Sequence, residues 1–306
     1  MPPDEKATVF LHSGDDRKTA VAALLDRFDL SPAKGGRIAL KANYNSSDPY
    51  PASTHLLTLD SLVQELFTHR PSALVMAERS GMGITSRVLA DCGVKALSRQ
   101  RGFDLVILDD LPKGEWTQVM DIDLHWKKGF WIPKMFTESE FVVQTCCLKT
   151  HRFGGHFTLS LKNSVGLVAK RVPDDPRDYM AELHSSPDQR LMIAEINRFY
   201  PVHVALLDAT KGFATQGPER GRLIEPGLLL ASADRVALDM VGVALLRSYG
   251  TTPEVMQGKI SEQDQIARAA EIGVGMNDPV RINLEPLDEK STHATEGLRE
   301  ILKVQG

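Results

Sequence analysis

The sequence has little cysteine, no excess of basic residues and no long apolar stretch. Its 306 residues include 3 cysteines and no Cys-x-x-Cys pair, so we expect a cytoplasmic protein without disulfides that binds no iron–sulfur cluster by itself. Its 36 basic residues are outnumbered by 40 acidic ones, which argues against nucleic-acid binding. No apolar run approaches the roughly 18 residues that span a bilayer, and the first ten residues lack the pattern of a secretion signal, so we expect no membrane association.

Short apolar runs alternate with amphipathic stretches along most of the chain. Strands are predicted at 8–11, 37–40, 73–76, 104–108, 141–148, 202–207, 228–231 and 280–284. Helices are predicted at 19–28, 54–69, 84–90, 187–199, 232–249, from 261 onwards and at 296–304. This alternation is typical of βαβ units. It predicts an α/β fold whose largely parallel or mixed sheet has flanking helices and two lobes around a cleft.

A polar loop with two prolines, residues 172–178, is the best candidate for a boundary between the lobes. It divides the chain into an N-terminal α/β lobe, residues 1–172, and a C-terminal α/β lobe, residues 173–306. The alternative is a single intertwined domain, because the sequence contains no long linker rich in proline, glycine or serine.

The first polar segment, residues 41–49, follows the second predicted strand. Loops at the carboxyl ends of parallel strands are where α/β proteins bind ligands, and this loop supplies a cation, two amides and a carboxylate. Its candidate substrate-binding residues are Lys41, Asn43, Asn45 and Asp48, and His55 just beyond it is a candidate metal ligand. The alternative is a solvated loop in which these side chains only form turns.

The second polar segment, residues 78–83, lies between a predicted strand and a predicted helix. Its two glycines would let backbone amides approach an anion at the helix N-terminus. Arg79 and Ser80 are therefore candidate substrate-binding residues. The segment matches neither a dinucleotide fingerprint nor a P-loop, and a plain turn is an equally good interpretation.

The third polar segment, residues 149–166, has the highest density of reactive side chains. Imidazole exchanges protons near neutral pH, and polar groups in an apolar frame are costly unless they are paired or used. Candidate catalytic residues here are His151, His156 and Lys162, and candidate substrate-binding residues are Lys149, Arg152 and Asn163. The spacing of the two histidines is not a metal motif, so a metal would require His55 or His184 as a further ligand.

Two adjacent cysteines, Cys146 and Cys147, precede the third segment within the apolar run 141–148. Burial in the core is the more common interpretation of such a pair. A redox function would require both thiols to be accessible.

The fourth polar segment, residues 208–221, follows the predicted strand 202–207. Asp208 is a candidate substrate-binding residue, because strand ends usually face a cleft. Further on, Asp239 interrupts an apolar helix, so we expect it to pair with a lysine or arginine of the polar segments. Because parallel strands present their carboxyl ends at one edge of a sheet, we expect all four segments to meet at one cleft.

The motifs of these segments occur in an order that resembles the domain-of-unknown-function 362 family. They are Lys-x-Asn-Tyr-Asn-Ser-x-Asp-Pro-x-Pro-Ala-Ser-Thr-His at 41–55, Glu-Arg-Ser-Gly-x-Gly at 78–83, Lys-Thr-His at 149–151, Thr-Leu-Ser-Leu-Lys-Asn-x-Val-Gly at 158–166 and Ala-Ser-Ala-Asp-x-Val-Ala-Leu-Asp at 231–239. The resemblance covers about residues 37–275, and the family name implies no activity. Some members carry an appended ferredoxin-like domain with clustered cysteines, which this sequence does not contain.

A resemblance at the level of the fold relates the third segment to lactate racemase. In that fold a nickel-pincer cofactor is held by a lysine in a His…Gly-Gly…Lys stretch, with a histidine downstream. The matching order here is His151, Gly154-Gly155, Lys162 and His184. Lys162 stands in Leu-Ser-Leu-Lys-Asn, where the racemase motif has Gly-Gly-Arg-Lys.

These features favour an enzyme that acts on a small anionic compound, bearing a carboxylate or a phosphate, through histidine and lysine chemistry. The sequence does not decide whether this enzyme is an isomerase or racemase or is associated with an oxidoreductase. Its cofactor is unknown, and both a divalent metal and a nucleotide are compatible with the sequence. The alternative is a non-catalytic binding or scaffold module that partners a separate iron–sulfur redox protein. A stoichiometric metal or an adduct on Lys162 would distinguish the enzyme from the module.

Overall fold

The computed structural model describes residues 6–306 of the chain. The first five residues, on which the expectation of no secretion signal partly depends, lie outside the described residues. Within residues 6–306, no helix combines the length and the apolar character that crossing a bilayer requires.

The centre of the molecule is a mixed ten-stranded sheet built from both halves of the chain. The strands of the molecule are β1 (Ala7–Ser13), β2 (Arg37–Lys41), β3 (Ala73–Glu78), β4 (Asp104–Ile107), β5 (Trp116–Val119), β6 (Phe130–Pro133), β7 (Phe141–His151), β8 (His156–Thr158), β9 (Val204–Phe213), β10 (Leu223–Ile224), β11 (Leu228–Ser232) and β12 (Ile282–Pro286). The main path of the sheet runs β12-β1-β11-β9-β7-β2-β3-β4. Along it, β11 is antiparallel to both neighbours and the other pairs are parallel. The predicted α/β fold with a largely parallel or mixed sheet is confirmed.

Helices cover both faces of the large sheet. They are α1 (Arg17–Leu25), α2 (Leu56–Thr68), α3 (Thr85–Asp91), α4 (Val94–Arg101), α5 (Lys134–Glu138), α6 (Ser160–Asn163), α7 (Tyr179–Ser185), α8 (Gln189–Ile196), α9 (Arg235–Ser248), α10 (Pro253–Met256), α11 (Asp264–Glu271) and α12 (Glu289–Gln305). β9 shows the two-sided burial: Leu206 belongs to the core under α1 and α2, whereas Ala205 and Leu207 belong to the core under α9. Alternate residues of this strand therefore serve opposite faces, as the period of a strand dictates.

β1 is the first strand in the chain, yet it lies among the last ones in space. It pairs antiparallel with β11 and parallel with β12. The large sheet therefore runs without a break through both proposed lobes. The boundary at residue 172 stays a prediction, and the continuous sheet agrees with its alternative, a single intertwined domain.

Several elements begin or end at other residues than predicted, for reasons visible in their caps. α2 begins after His55, because the His55 side chain, and not Thr54, caps the helix. α12 begins at Glu289 and not at residue 296, because Asp288 accepts the Ser291 N–H at 2.8 Å and forms a capping box. Asp234 caps α9, as expected.

Candidate functional site

A cavity of about 700 Å³ opens at one edge of the large sheet. β7, β2 and β3 lie side by side and parallel there, and residues at their carboxyl ends supply much of the lining. The segments around α6 and α7 complete it. The cavity is lined by Lys41, Asn43, Asn45, Glu78, Arg79, Gly81, Met82, Lys149, His151, Phe153, Thr158, Lys162, Asn163, Val165, Gly166, Lys170, Asp178, Met180, Ala181, His184 and Pro218.

A buried ion pair joins the ends of β2 and β3. Lys41 Nζ lies 2.5 Å from Glu78 Oε1, and both side chains are at most 2% exposed. Glu78 Oε2 also accepts the Tyr44 N–H at 3.1 Å. Burial lowers the pKa of Lys41 and raises the pKa of Glu78, and the attraction between the two charges opposes both shifts. The two side chains are thus fixed in place, and their opposite charges largely neutralise each other.

Lys149, near the end of β7, is buried without a carboxylate partner. Its ammonium donates to Asn43 Oδ1 at 2.5 Å, to the Pro51 carbonyl at 3.2 Å and to the Ala52 carbonyl. Burial lowers the pKa of this lysine. Because three N–H donors meet three acceptors, Lys149 contributes positive charge to the cavity but has no N–H left for a ligand.

Arg79 is a buried guanidinium held by carbonyl groups. Its Nε donates to the Val168 carbonyl at 2.9 Å, and its Nη2 donates to the Val165 carbonyl at 2.7 Å. Within residues 6–306 it forms no ion pair, and its Nη1 has no hydrogen-bond partner. A guanidinium has five N–H donors in a planar fork, so the two on Nη1 remain available for an anion.

Lys162, on α6, differs from the other lysines of the lining. Lys170 is exposed to solvent, whereas Lys162 is half-buried in the cavity wall, and within the described part of the chain its ammonium has neither a hydrogen bond nor an ion pair. Burial, together with the charges of Lys149 and Arg79, lowers its pKa to about 8. Lys162 is therefore an amine without a protein partner inside a cavity.

Gly155 brings Lys162 close to His151. A β-carbon added at Gly155 would lie 2.8 Å from both Lys162 Cε and His151 Nδ1. Any residue other than glycine would therefore push the lysine and the imidazole apart. The Gly-Gly pair of the third segment has a definite packing function at this position.

The two histidines of the lining hold opposite tautomers. His151 Nδ1 accepts the Gly155 N–H at 3.2 Å, so the neutral ring carries its proton on Nε2. His184 Nδ1 donates to the Met180 carbonyl at 2.7 Å, which leaves Nε2 as an acceptor. Burial lowers the pKa of both rings, and the charge of Lys162 lowers both further. One imidazole can therefore donate a proton and the other can accept one.

Two buried oxygen atoms of the lining have no hydrogen-bond partner, Thr158 Oγ1 and Asn163 Oδ1. The Asn163 side chain is fixed through its other end, since Nδ2 donates to the Thr145 carbonyl at 3.1 Å. An unsatisfied buried polar group costs about 1–3 kcal/mol, so folded proteins rarely keep one without a use. Both oxygen atoms are themselves buried, so their missing hydrogen bonds are a cost within the packing around the cavity.

Asp239 of α9 anchors the short helix α6, which carries Lys162. Its two carboxylate oxygens accept the Ser160 N–H at 2.8 Å and the Leu161 N–H at 3.0 Å. The prediction that Asp239 pairs with a lysine or arginine is wrong, because the free N–H groups at the start of α6 neutralise it instead. Burial nevertheless raises the pKa of Asp239 to about 7.

The structure brings many of the predicted site residues to this cavity. They are Lys41, Asn43, Asn45, Arg79, Lys149, His151, Lys162, Asn163 and His184. Asp48 and Ser80 lie outside the lining, where Asp48 accepts the Ser46 hydroxyl at 2.7 Å and Ser80 donates to the Tyr44 carbonyl at 2.7 Å. Asp48 thus makes a local turn contact, as the alternative interpretation of its segment has it, whereas Ser80 links the second polar segment to the first.

The tip of the β7–β8 hairpin turns two predicted residues away from the cavity. Arg152 forms an ion pair with Glu219 and lies 4.2 Å from the centre of the Phe153 ring. His156 has a φ of 61° and is half-buried beside Arg190, outside the lining. Arg152 is therefore satisfied by a carboxylate that its segment does not contain. His156 pairs with His151 across the hairpin, yet it does not line the cavity.

Asp208 lies in a separate buried cluster and not at the cavity. A register shift between β7 and β9 follows Asp208, so that residues 209–211 have no partner on β7. The Asp208 cluster consists of Asp208 and the four side chains that donate to it, Arg17 at 3.2 Å, Tyr50 at 2.7 Å, Thr58 at 2.5 Å and Thr210 at 2.8 Å. Of the fourth segment, Pro218 lines the cavity. Three polar segments meet there, and the fourth contributes only its proline.

The residues proposed as metal ligands do not assemble. Within residues 6–306, no group of three or more His, Cys, Asp or Glu side chains is arranged to hold a metal ion. His55 Nδ1 accepts the Leu57 N–H at 3.2 Å as the cap of α2, and the ring packs edge-on against Tyr50. His184 lines the cavity and His55 does not. His55 and His184 therefore do not come together as ligands of one metal ion.

Cys146 and Cys147 lie in the core of the sheet, 1% and 0% exposed. Burial raises the pKa of Cys147 to about 11 and holds the pKa of Cys146 well above its usual range. Neither thiol is accessible or readily ionised, so the core interpretation is confirmed and the redox function of this pair is wrong.

Sequence reasoning did not select Glu78 or Thr158 as site residues. Glu78 could have been found, because β2 and β3 are parallel neighbours that end in opposite charges. Thr158 could not have been found from the sequence, because its hydroxyl lacks a partner only as a result of how the β7–β8 hairpin and α6 pack.

Comparisons with known proteins identify a family and leave the activity open. A family model described as "Domain of unknown function (DUF362)" matches residues 38–244, more than half of the chain. No curated protein matches the sequence. Among solved structures, the lactate racemase apoprotein from Thermoanaerobacterium thermosaccharolyticum is similar, with a TM-score of 0.48 and 14% sequence identity. The match covers 78% of this chain and 57% of the racemase, so the chain spans little more than half of that protein.

Proposed function

Since this chain belongs to the DUF362 family, whose description assigns no activity, we propose a function from the site itself. The protein is an enzyme that acts on a small compound bearing a carboxylate or a phosphate, by acid–base chemistry. The observation that carries this proposal is the pair of cationic lining groups without protein partners, Lys162 Nζ and Arg79 Nη1. The other buried charged groups of the lining, Lys41, Glu78 and Lys149, are hydrogen-bonded within the protein.

The charge of the lining favours an anion. It contains five lysine and arginine side chains and two carboxylates, those of Glu78 and Asp178. Glu78 is paired with Lys41, and Asp178 caps α7 by accepting the Ala181 N–H at 2.9 Å. The remaining positive charge lies in a partly enclosed site of reduced polarity, where it would attract a carboxylate or a phosphate strongly.

The tautomers of the two histidines give this site its acid–base capacity. His184 Nε2 is free to accept a proton from a bound substrate, and His151 Nε2 carries a proton that it can donate. Their lowered pKa values keep both rings neutral at pH 7, as these two functions require. Arg79 and Lys162 would hold the anionic group and so orient the carbon that exchanges a proton.

Ligand binding is tested first, by the thermal midpoint of the protein in oxalate, lactate, malate and inorganic phosphate. A ligand at about 100 times its Kd stabilises the folded state by about 2.7 kcal/mol. At least one of these anions should raise the midpoint of the native protein and should fail to raise that of Lys162→Met. Lys211→Met is the matched control, because Lys211 lies outside the cavity and pairs with Glu225. If no anion shifts the native protein, the proposal is wrong.

Catalysis is tested separately, by proton NMR of the bound anion in D2O. An enzyme that removes a carbon-bound proton should exchange the α-proton of a hydroxy acid such as lactate or malate for deuterium, and His184→Gln should abolish the exchange. Binding without exchange for every anion that binds would contradict the enzyme and support the alternative, a non-catalytic module that partners a redox protein.

A further inference from the structure

Lys162 is singled out among the lysines of the cavity by its lack of partners. Lys41 is held by Glu78, Lys149 donates to three oxygens, and Lys170 is exposed. The amine of Lys162 has no hydrogen bond or ion pair within residues 6–306. An amine without a protein partner can bind an anion through its N–H groups or, in its neutral form, attack a carbonyl carbon with its lone pair.

The surroundings of Lys162 favour the uncharged amine. Burial and the nearby charges of Lys149 and Arg79 lower its pKa to about 8. About one-tenth of the protein then carries the neutral amine at pH 7, far more than for a solvated lysine. Arg79 keeps two free N–H groups on Nη1 that can hold an anionic group of the ligand that the amine attacks, and Lys149 adds positive charge beside it.

We propose that Lys162 Nζ forms an imine with the carbonyl carbon of a small anionic aldehyde or ketone bound in the cavity. The inference rests on the proposed anion site and narrows its substrate class to carbonyl compounds that carry a carboxylate or a phosphate.

The step balances with the groups present. The neutral amine adds to the carbonyl carbon, one C–N bond forms, and the oxygen takes a proton for which the Nε2–H of His151 is the nearby donor. The nitrogen gives up a proton, for which His184 Nε2 is an acceptor. Protonated His184 then gives its proton to the hydroxyl group, the C–O bond breaks, water leaves, and the nitrogen lone pair completes the C=N bond. The remaining N–H proton of the resulting iminium returns to His151, so both histidines end as they began. No oxidant or reductant is consumed.

The experiment traps the imine in the native, full-length protein. The chain is incubated with pyruvate or with dihydroxyacetone phosphate, treated with sodium borohydride, and weighed intact by mass spectrometry. We expect one reduced adduct per chain, and peptide mapping should place it on Lys162. Lactate, which has the carboxylate without the ketone, should give no adduct. Acetone, which has the ketone without the anion, should give a small fraction of the yield.

Two variants separate the imine from simple anion binding. Lys162→Arg keeps the positive charge but cannot form an imine, so it should lose the adduct by at least about ten-fold and still be stabilised by oxalate or phosphate. Lys211→Met, an exposed lysine outside the cavity, should keep the adduct in full. An adduct spread over several lysines, or one of equal yield in Lys162→Arg, would overturn the imine.

Failure of the imine and failure of the anion site give different results. If anions raise the thermal midpoint and borohydride traps nothing, the imine is wrong and the anion site stands. If neither effect is seen, both proposals are wrong.

Discussion

The cavity and the Asp208 cluster are both polar, mostly buried and built from residues far apart in the chain, but they complete their hydrogen bonds differently. Asp208 accepts from Arg17, Tyr50, Thr58 and Thr210, and no polar side-chain atom of the cluster is left unsatisfied. In the cavity, Thr158 Oγ1 and Asn163 Oδ1 have no partner. The sequence patterns of the two regions were alike, since each offers polar side chains after a buried strand.

This difference separates structural from functional polar groups. A saturated cluster stabilises the fold, and any change to it exposes an unpaired partner. An unsaturated cavity costs stability, and the cost is recovered when a ligand binds. Mutations in the cluster should therefore change folding, whereas mutations of unpartnered groups in the cavity should change binding.

The largest effect on stability is expected for Asp208→Ala. The substitution leaves the guanidinium of Arg17 and three hydroxyl groups without their acceptor, and breaking a buried pair in this way costs about 3–5 kcal/mol. Urea denaturation at pH 7 measures the change in the free energy of unfolding. A change of less than about 1 kcal/mol would place Asp208 among solvated groups.

Asp239→Asn is expected to come next, because it tests a saturated carboxylate directly beneath the cavity. An amide has one oxygen, so the N–H of either Ser160 or Leu161 loses its acceptor, at a cost of about 1–3 kcal/mol.

The cost of Asp239→Asn should also depend on pH, with a sign that follows from the raised pKa of about 7. Between about pH 4 and pH 7 the folded state holds the proton that the unfolded state has released, so this group destabilises the native protein as pH rises. The advantage of the native protein over Asp239→Asn should therefore be larger at pH 5 than at pH 7.5. Equal differences at the two pH values would contradict the raised pKa.

The same substitution, threonine to valine, can be made in the Asp208 cluster at Thr58 and in the cavity lining at Thr158, which compares the two regions directly. Thr58 donates to Asp208 at 2.5 Å and accepts from Arg17 at 3.0 Å, so Thr58→Val should cost about 1–3 kcal/mol. Thr158→Val removes an unpaired buried hydroxyl, so the free energy of unfolding should stay the same or rise by up to about 1–3 kcal/mol. Equal losses of stability at the two positions would remove the distinction between the regions.

The smallest effect on folding at pH 7 is expected for Lys162→Met, which should leave the thermal midpoint unchanged or slightly raised. The lowered pKa of about 8 means that, between about pH 8 and pH 10.5, the unfolded state binds a proton that the folded state has released. Stability from this group therefore rises with pH across that window in the native protein and not in the variant. Denaturation of both proteins at pH 7.5 and pH 9.5 checks the sign. A native protein that gains nothing over the variant would show that Lys162 is solvated.

The position of the site was predictable, because the carboxyl ends of parallel strands meet at one edge. Lys41, Arg79 and Lys149 were selected on that argument, and the structure places all three along one cavity. The strand pattern also predicted the sheet itself, since β2, β3, β7 and β9 are buried apolar runs.

The partners of single polar side chains were not predictable. Asp239 meets backbone N–H groups that no side-chain pattern reveals, and Arg152 meets Glu219 across a hairpin tip. Asp208 was expected to face the cleft but lies at a register shift of β9, which depends on how neighbouring strands align. Such contacts join residues many positions apart, so they follow from the tertiary fold and not from local sequence.

The place of β1 in the sheet has a consequence for the protein during its synthesis on the ribosome. β1 pairs with residues 228–231 and 282–286, and at about 5–20 residues per second these take on the order of ten seconds or more to be made after β1. β2, β3 and β7, which supply much of the cavity, can pair with one another well before that. The strands of the ligand-binding edge can therefore pair while β1 is still an unpaired strand of the nascent chain. It is β1, not the site, that needs protection from aggregation during synthesis.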